Sequence, residues 1–140
     1  MTPRLKSDYM SKSIEHLRNR TDPFSNFFNI QIDQLAEGYA KIFMRIEKNH
    51  LNFYEIAHGG AIYSLADQAF ALASNSCCVT AVAIQMNIHY HRPSKLGDIL
   101  EAIARQIHFG KRIAVYQIDV KNRENNKLVA SCQGMVYHKD

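Results

Sequence analysis

One segment with helical periodicity lies among segments that alternate every second residue, and this order limits the folds open to the chain. The central segment, residues 59–76, carries apolar residues at helical spacing, namely Ile62, Leu65, Ala66, Ala69 and Ala73. Seven of residues 61–74 are Ala or Ser, so the predicted helix is slim. A sheet can therefore curl closely around it.

Strand periodicity is found on both sides of this helix. Alternating apolar residues predict strands over residues 28–35, 39–46, 82–91, 99–108, 113–122 and 128–138. Short turns at 109–111 and 124–126 join the last three strands as consecutive hairpins, which makes the sheet antiparallel. A further helix is predicted over residues 3–19. We therefore expect an α+β fold in which an antiparallel sheet of five to six strands covers one long helix.

Length and composition favour one globular domain. The chain has 140 residues, of which 46% are hydrophobic, and this is enough for one core without a disulfide or metal staple. We expect a single domain over residues 1–140, with residues 1–27 as an N-terminal helical extension. No apolar run approaches the length of a membrane span, and Cys77, Cys78 and Cys132 match no disulfide framework or zinc spacing. These features favour a cytoplasmic protein.

The charged residues are distributed unevenly along the chain. The formal net charge is +4, and five bases minus two acids in residues 1–20 contribute +3 of it. The other residues contain no basic run interleaved with aromatics, which argues against nucleic-acid binding. From Ile56 to His91 there is no Lys or Arg, and Asp67 is the one formal charge. An isolated carboxylate in an apolar segment is a candidate for chemistry.

A motif that begins at His58 gives the clearest likeness to known proteins. It reads HGGAIYSLADQAFALASNS and resembles the hot-dog-fold acyl-CoA thioesterases, especially their PaaI branch, the phenylacetyl-CoA thioesterases. The likeness covers about residues 28–138 and includes Asn52, His91-Arg92-Pro93, Gly97-Asp98 and Phe109-Gly110-Lys111. The resemblance implies a sheet wrapped around the long helix and hydrolysis of an acyl-CoA thioester. It also implies homodimers joined at the sheet edges, often paired into tetramers.

The glycine pair at the start of the central helix suits a catalytic donor. Thioester hydrolysis needs a group that stabilises the carbonyl oxygen as it becomes an oxyanion. The first turn of a helix presents unpaired N–H groups, and glycine lets a ligand approach the backbone closely. We therefore expect the Gly59 N–H to be the oxyanion donor and Gly60 to belong to the substrate site. The alternative is that the pair only forms a tight turn.

Asp67 is the candidate base or nucleophile. Its neighbours along the helix are apolar: Leu65, Ala66, Ala69 and Phe70. Partial burial among such groups raises the pKa of a carboxyl group and makes it a better base. The alternative is that Asp67 is an ordinary solvated helix residue with no catalytic role. The sequence does not distinguish direct attack by the carboxylate from activation of water.

The spacing of these two residues predicts a dimer. Gly59 and Asp67 are eight residues apart, which is about 12 Å along a helix axis at 1.5 Å per residue. Two groups that flank one carbonyl cannot be so far apart. We therefore expect Gly59 of one protomer to meet Asp67 of another across an isologous dimer with antiparallel helices.

Other residues near the motif have weaker assignments. Asn52 can hold a water or the thioester, or it can simply form an Asx turn. The resemblance gives His58 a supporting role for the glycine loop, with catalytic base as the less favoured alternative. Tyr63, Phe70 and Phe53 are candidates for an acyl pocket, which would suit an aryl or medium-chain group. The family often has Ser or Thr early in the next strand, where this chain has Val82-Ala83-Ile84.

Polar residues beyond the central segment are candidates for phosphate or metal binding. Four cations at strand ends can meet the phosphates of coenzyme A, or can be ordinary solvated turn residues: Arg92, Lys95, Lys111 and Arg112. His89 and His91 share a strand face, but no third ligand is placed by spacing, so we expect solvent exposure and no metal.

The leading interpretation is an acyl-CoA thioesterase that acts on an aryl or medium-chain acyl-CoA. It needs no metal or redox cofactor, because coenzyme A enters as part of the substrate. Two alternatives remain. A hot-dog hydratase or dehydratase usually uses a His and an acid in differently ordered motifs, which this chain lacks. A non-catalytic acyl-CoA-binding sensor would use the same pocket, although the presence of Asp67 argues against it.

Overall fold

The chain forms three α-helices, six strands and one short 3-10 turn in the computed structural model, which describes residues 2–20 and 22–139. The single domain predicted over residues 1–140 also includes residues 1, 21 and 140, which lie outside the described residues. The helices are α1 (Pro3–Asn19), α2 (Pro23–Phe27) and α3 (Gly59–Asn75), and the 3-10 turn is Lys48–His50. The strands are β1 (Gln31–Ala36), β2 (Tyr39–Arg45), β3 (Thr80–Tyr90), β4 (Ile99–Phe109), β5 (Ile113–Asn122) and β6 (Leu128–Lys139).

The six strands form one sheet in the order β1-β2-β4-β5-β6-β3, and every neighbouring pair is antiparallel. The predicted α+β architecture, with an antiparallel sheet, one long helix and an extra N-terminal helix, is confirmed. β1 and β3 are the edge strands of the described sheet. α3 packs against the sheet, with most of its contacts on β2, β4, β3 and β5.

The first strand begins later than the sequence predicts. Residues 28–30 precede β1, which starts at Gln31, because a short helix occupies Pro23–Phe27. The Asp22 carboxylate accepts a hydrogen bond from the Ser25 N–H at 3.2 Å, and Pro23 stands in the first turn, where its missing N–H costs nothing. The Asp-Pro pair therefore starts a second, short helix.

The small residues of α3 allow the sheet to approach one side of the helix closely. Ala66, Ala69 and Ala73 have no exposed surface, and Phe70 is 1% exposed. One face stays outside the core, and we call it the open face of α3. It consists of exposed and half-buried residues: Gly60, Tyr63, Ser64, Asp67, Gln68, Ala71 and Asn75.

The N-terminal helix packs on the domain through a half-buried face that includes Met10, Ile14 and Leu17. Its Met10 sulfur lies 3.6 Å from the Cys78 thiol, just beyond the end of α3. None of the helices formed by the described residues combines the length and apolar character needed to cross a membrane.

Candidate active site

The first turn of α3 has one free backbone donor. His58 is the N-cap residue, and its Nδ1 accepts a hydrogen bond from the Gly60 N–H at 2.8 Å. The Ala61 N–H is bound to the His58 carbonyl oxygen at 2.9 Å. The Gly59 N–H makes no hydrogen bond with any residue that the structure describes. The cap thus satisfies the neighbours of Gly59 and leaves its N–H available to a ligand.

Tyr90 sets the position of Gly59 from the end of β3. Its hydroxyl donates a hydrogen bond to the Gly59 carbonyl oxygen at 3.0 Å. A Cβ at Gly59 would lie 3.2 Å from the Tyr90 ring and hydroxyl oxygen, a contact tighter than most real Cβ contacts. Neither motif nor charge in the sequence singles out Tyr90. The one sequence feature that points to Tyr90 is its place at the end of a long strand, next to the His91-Arg92-Pro93 motif.

Gly59 faces a shallow groove of about 430 Å³. Its walls come from the loop before α3, the first turns of α3 and the end of β3, and they include Ile56, Ala57, Ile62, Tyr90, His91, Arg92 and Pro93. This lining is mainly apolar, with Arg92 at one side. We call it the Gly59 groove.

Asp67 lies on the open face of α3, and it makes no hydrogen bond or ion pair with another described residue. Burial by the surrounding protein raises the pKa of its carboxyl group above the ordinary value. Burial also raises the pKa of Tyr63, and the negative charge of Asp67 adds to this shift. An unpaired carboxylate with a raised pKa has the properties of a general base.

Asn52 organises the loop that leads into α3. Its Oδ1 accepts hydrogen bonds from the Tyr54 N–H at 2.9 Å and the Ile56 N–H at 3.4 Å, so the Asx turn is present. Its side-chain NH₂ makes no hydrogen bond with the described residues and is free to meet a water or a thioester. The loop ends where the His58 N–H donates to the His50 carbonyl oxygen at 2.7 Å.

Comparison with known proteins places this site in a family. The model of the Thioesterase superfamily matches residues 54–129, which include Gly59, Asp67 and the groove. The chain belongs to the Thioesterase superfamily.

Individual relatives agree with this assignment. Acyl-coenzyme A thioesterase PaaI of Escherichia coli K12 is 38% identical over 119 residues, which are 85% of this chain and 84% of that protein. The structure of E. coli PaaI, from the phenylacetic acid degradation operon, superposes with a TM-score of 0.88 at 34% identity, covering 94% and 95% of the two chains. The structure of smu.793 from Streptococcus mutans UA159, bound to acetyl-CoA, gives a TM-score of 0.80 at 30% identity, covering 89% and 96%. The predicted PaaI-like hot-dog acyl-CoA thioesterase family is confirmed.

The aromatic residues predicted to line the acyl pocket of this thioesterase lie in different environments. Tyr63 is 37% exposed beside Asp67, whereas Phe53 is 87% exposed and stacks on Tyr54 with 4.3 Å between ring centroids. Phe70 is buried in the core, where its ring packs on Tyr116 at 5.7 Å between centroids. In the described chain the Phe70 ring therefore faces the core rather than the open face, because the sheet closes over that side of α3.

The four predicted phosphate-binding cations form two groups. Arg92 and Lys95 line a second hollow of about 460 Å³, which shares Ile56, Arg92 and Pro93 with the Gly59 groove. Lys111 and Arg112 lie at the other end of the sheet, where the Arg112 carbonyl oxygen accepts a hydrogen bond from the His138 N–H at 2.8 Å. One chain of the thioesterase therefore does not bring all four cations together.

The two histidines considered for metal binding are both exposed, His89 on β3 and His91 directly after its last residue. His91 Nε2 lies 2.7 Å from the Ser131 hydroxyl oxygen. Within residues 2–20 and 22–139, no group of three or more His, Cys, Asp or Glu side chains is arranged to hold a metal ion. The expectation of a metal-free reaction stays a prediction.

Proposed function

We propose that this acyl-CoA thioesterase hydrolyses aryl or medium-chain acyl-CoA, with the Gly59 N–H of one protomer as oxyanion donor and the partner's Asp67 as base or nucleophile. The unpaired Gly59 N–H at the capped start of α3 carries the proposal. Asp67 is eight residues further along the same helix, about 12 Å along its axis, too far to act on the same carbonyl.

The free edge of β3 supports a dimer that joins the two halves of the site. β3 is hydrogen bonded to β6 and stands at the end of the strand order. Val82 and Ile84 on this strand are 43% and 54% exposed, and an exposed apolar edge is a template for pairing. Antiparallel pairing of two β3 strands continues the sheet and sets the two α3 helices antiparallel. Each Gly59 then approaches the partner's Asp67.

The same pairing supports a site for coenzyme A. Antiparallel pairing puts the Thr80 end of one β3 beside the Tyr90 end of the other, and Tyr90 is bound to Gly59. The turn with Lys111 and Arg112 lies at the Thr80 end, because Thr80 pairs with Lys139 and the adjacent His138 is bound to Arg112. The partner's turn thus approaches the Gly59 groove, where Arg92 also lies. These cations can hold the phosphates of the substrate.

Hydrolysis at this site follows one of two routes. As a base, Asp67 takes a proton from water while the water oxygen bonds to the carbonyl carbon. As a nucleophile, its carboxylate oxygen attacks that carbon and forms a mixed anhydride that water then opens. In both routes the oxyanion is held by the Gly59 N–H, and the C–S bond breaks. The coenzyme A thiolate leaves and is protonated, and the free acid is released.

Several broader properties belong to the same proposal. The ring of an acyl group such as phenylacetyl suits the apolar groove and Tyr63. The name of the E. coli relative agrees with an acyl-CoA substrate. We propose that the enzyme works in the cytoplasm as a dimer or a dimer-of-dimers tetramer. Coenzyme A enters only as part of the substrate, and no metal or redox cofactor takes part.

Thiol release from a panel of acyl-CoAs tests the proposal. The panel contains short, medium and long acyl chains, phenylacetyl-CoA and hydroxybenzoyl-CoA, and the variants are Asp67→Asn and Asp8→Asn. We expect Asp67→Asn to lower kcat by about 10²–10⁴-fold. Asp8→Asn, an exposed aspartate of α1, should match the wild type. Equal rates for Asp67→Asn would remove Asp67 from the mechanism, and tight binding without turnover by the wild type would favour an acyl-CoA sensor.

A further inference from the structure

A cleft of about 690 Å³ opens between the N-terminal helices and α3, and no step of the proposed hydrolysis uses it. Its walls come from the end of α1, from α2, from β1 and from the open face of α3. Lining residues include Arg18, Arg20, Ile30, Gln68, Ala71 and Asn75. We call it the N-terminal cleft. Its volume lies within the range of about 300–1,000 Å³ that is usual for small-molecule sites.

The cleft begins next to Asp67. Ala71 lies one helical turn after Asp67, and Cβ atoms four residues apart on a helix are about 5–6 Å from each other. Both residues are on the open face of α3. Ala71 has no side chain beyond Cβ, so its own side chain leaves the way from the carboxylate to the cleft open. An acyl group whose carbonyl carbon lies at Asp67 can therefore extend across Ala71 into the cleft.

Most polar groups in the cleft are already paired within the protein. Asp22 Oδ1 accepts from the Ser25 N–H at 3.2 Å, and its Oδ2 accepts from Gln68 Nε2 at 3.0 Å. The Asn75 amide is bound to backbone groups of Ala71 and Ala81. These bonds hold α2 and the end of α3 in place and leave little for a ligand to pair with.

Arg18 and Arg20 are the two cations of the cleft lining, and both residues are exposed. Neither guanidinium group makes a hydrogen bond or ion pair with the part of the chain that the structure describes. A guanidinium group binds a carboxylate through two parallel hydrogen bonds. The cleft therefore combines a small residue one helical turn from Asp67 with two cationic side chains in its lining.

We propose that the N-terminal cleft binds the distal part of the acyl group, and that Arg18 and Arg20 select acyl groups that end in a carboxylate. The inference rests on the proposed hydrolysis at Asp67 and adds a preference within it, for medium-chain acyl groups that end in a carboxylate over those that end in a methyl group. It also gives the N-terminal extension a function, because α1 and α2 supply the walls that choose the substrate.

A matched pair of substrates tests the selection. Hexanoyl-CoA and adipoyl-CoA have the same chain length and differ in the terminal carboxylate. We expect the wild type to have the higher kcat/KM for adipoyl-CoA, and added salt to reduce this preference. The double variant Arg18→Gln/Arg20→Gln should lose about five- to tenfold in kcat/KM for adipoyl-CoA and stay within about twofold for hexanoyl-CoA. Arg4→Gln, at the far end of α1, is the control and should change neither value.

A second variant tests whether the cleft is used at all. Ala71→Leu places a side chain across the entrance and should raise KM for both substrates by about tenfold, whereas Ala71→Ser should not. An unchanged substrate ratio in the arginine double variant would overturn the carboxylate selection. Wild-type kinetics in Ala71→Leu would overturn the cleft as the acyl site.

The outcome is separable from that of the proposed function. If Asp67→Asn is inactive but the cleft variants behave as wild type, hydrolysis at Asp67 stands and the cleft proposal fails. If the wild type cleaves no thioester, the proposed hydrolysis fails, and titration calorimetry of adipoyl-CoA against hexanoyl-CoA still tests the cleft. Tighter binding of adipoyl-CoA that disappears in the arginine double variant would support it, and equal binding would overturn it.

Discussion

At the scale of one residue, the proposed role of Asp67 is at odds with stability. Burial raises the pKa of its carboxyl group, which means that the folded protein disfavours the charged form. No described cation pairs with it to offset this cost. A residue selected for stability alone would be uncharged here, and Asp is also a poor helix former.

The sign of this pKa shift gives a prediction for Asp67→Asn. Above its raised pKa the carboxylate is charged and disfavours the fold, so the variant should melt at a slightly higher temperature than the wild type while losing activity. The gain should be small, because Asp67 is exposed and solvent screens its charge. The gain should shrink as the pH falls from the raised pKa toward the ordinary value of 3.8, because protonation removes the charge from the wild type. Thermal melts across this range measure it, with Asp8→Asn as control. A gain that persists or grows in acid would contradict the prediction.

The role of His58 can be tested through the N-cap hydrogen bond that it makes at the start of α3. The Nδ1 atom accepts the Gly60 N–H, so His58→Ala should lower the free energy of unfolding by about 0.5–2 kcal/mol and reduce kcat, since the turn that presents Gly59 loosens. Asn is a good N-cap residue, so His58→Asn should recover most of both losses. Denaturant unfolding and thiol release measure the two effects. If Asn restores stability but leaves activity as low as Ala does, His58 acts as a base instead.

At the scale of elements, the contact between α3 and β6 depends on one glycine. Gly134 lies in the middle of β6, and a Cβ there would come within 2.6 Å of the Phe70 ring. The ring itself is 1% exposed and also packs on Tyr116 of β5. A large aromatic side chain thus fits into an otherwise Ala- and Ser-rich helix because the strand opposite it provides the space.

This packing predicts a coupled pair of substitutions. Gly134→Ala should overpack the core and lower the free energy of unfolding by about 1–3 kcal/mol. Phe70→Leu alone leaves a cavity, but combined with Gly134→Ala it should recover part of the loss, because the smaller side chain makes room for the new methyl group. Denaturant unfolding of the two single variants and the double variant measures the coupling. Additive losses would show that the two residues do not share this space.

Local periodicity predicts the elements well but not their neighbours in the sheet. The spacing of apolar residues predicts α1, α3 and β5 to within a residue, and it places the turns of the two last hairpins. It does not reveal that β3 pairs with β6, or β2 with β4, because such pairings depend on contacts between distant parts of the chain. For the same reason the sequence does not show that Tyr90 reaches Gly59, or that the core encloses Phe70.

In the candidate site, too, local features can be predicted from the sequence, whereas contacts between distant segments cannot. Gly59 and Asp67 can be found from the motif and from charge, since helix starts and isolated carboxylates are local features. The N-terminal cleft cannot be found in this way. Arg18 and Gln68 are far apart in the chain and become neighbours of one cavity only when α1 and α2 fold over the end of α3.

At the scale of the whole molecule, the proposed dimer follows from the proposed roles of Gly59 and Asp67. One α3 helix keeps Gly59 and Asp67 about 12 Å apart along its axis, whereas both must reach one carbonyl. When a two-fold axis relates two antiparallel α3 helices, Gly59 of each chain lies near Asp67 of the other, and the dimer has two equivalent sites. Each site then contains Gly59 from one chain and Asp67 from the other. The activity of a dimer should therefore depend on which variant chains are combined in it.

Mixed dimers test this dependence directly. Gly59→Ala places a Cβ 3.2 Å from the Tyr90 ring and disturbs the donor, whereas Asp67→Asn removes the base, so each variant alone should be inactive. When the two are refolded together, half of the dimers are mixed and carry one intact site, which should restore about a quarter of wild-type thiol release. As control, the double variant Gly59→Ala/Asp67→Asn mixed equally with wild type should leave about a quarter, because both sites of a mixed dimer are damaged. A site within one chain would give no recovery in the first mixture and half the activity in the second.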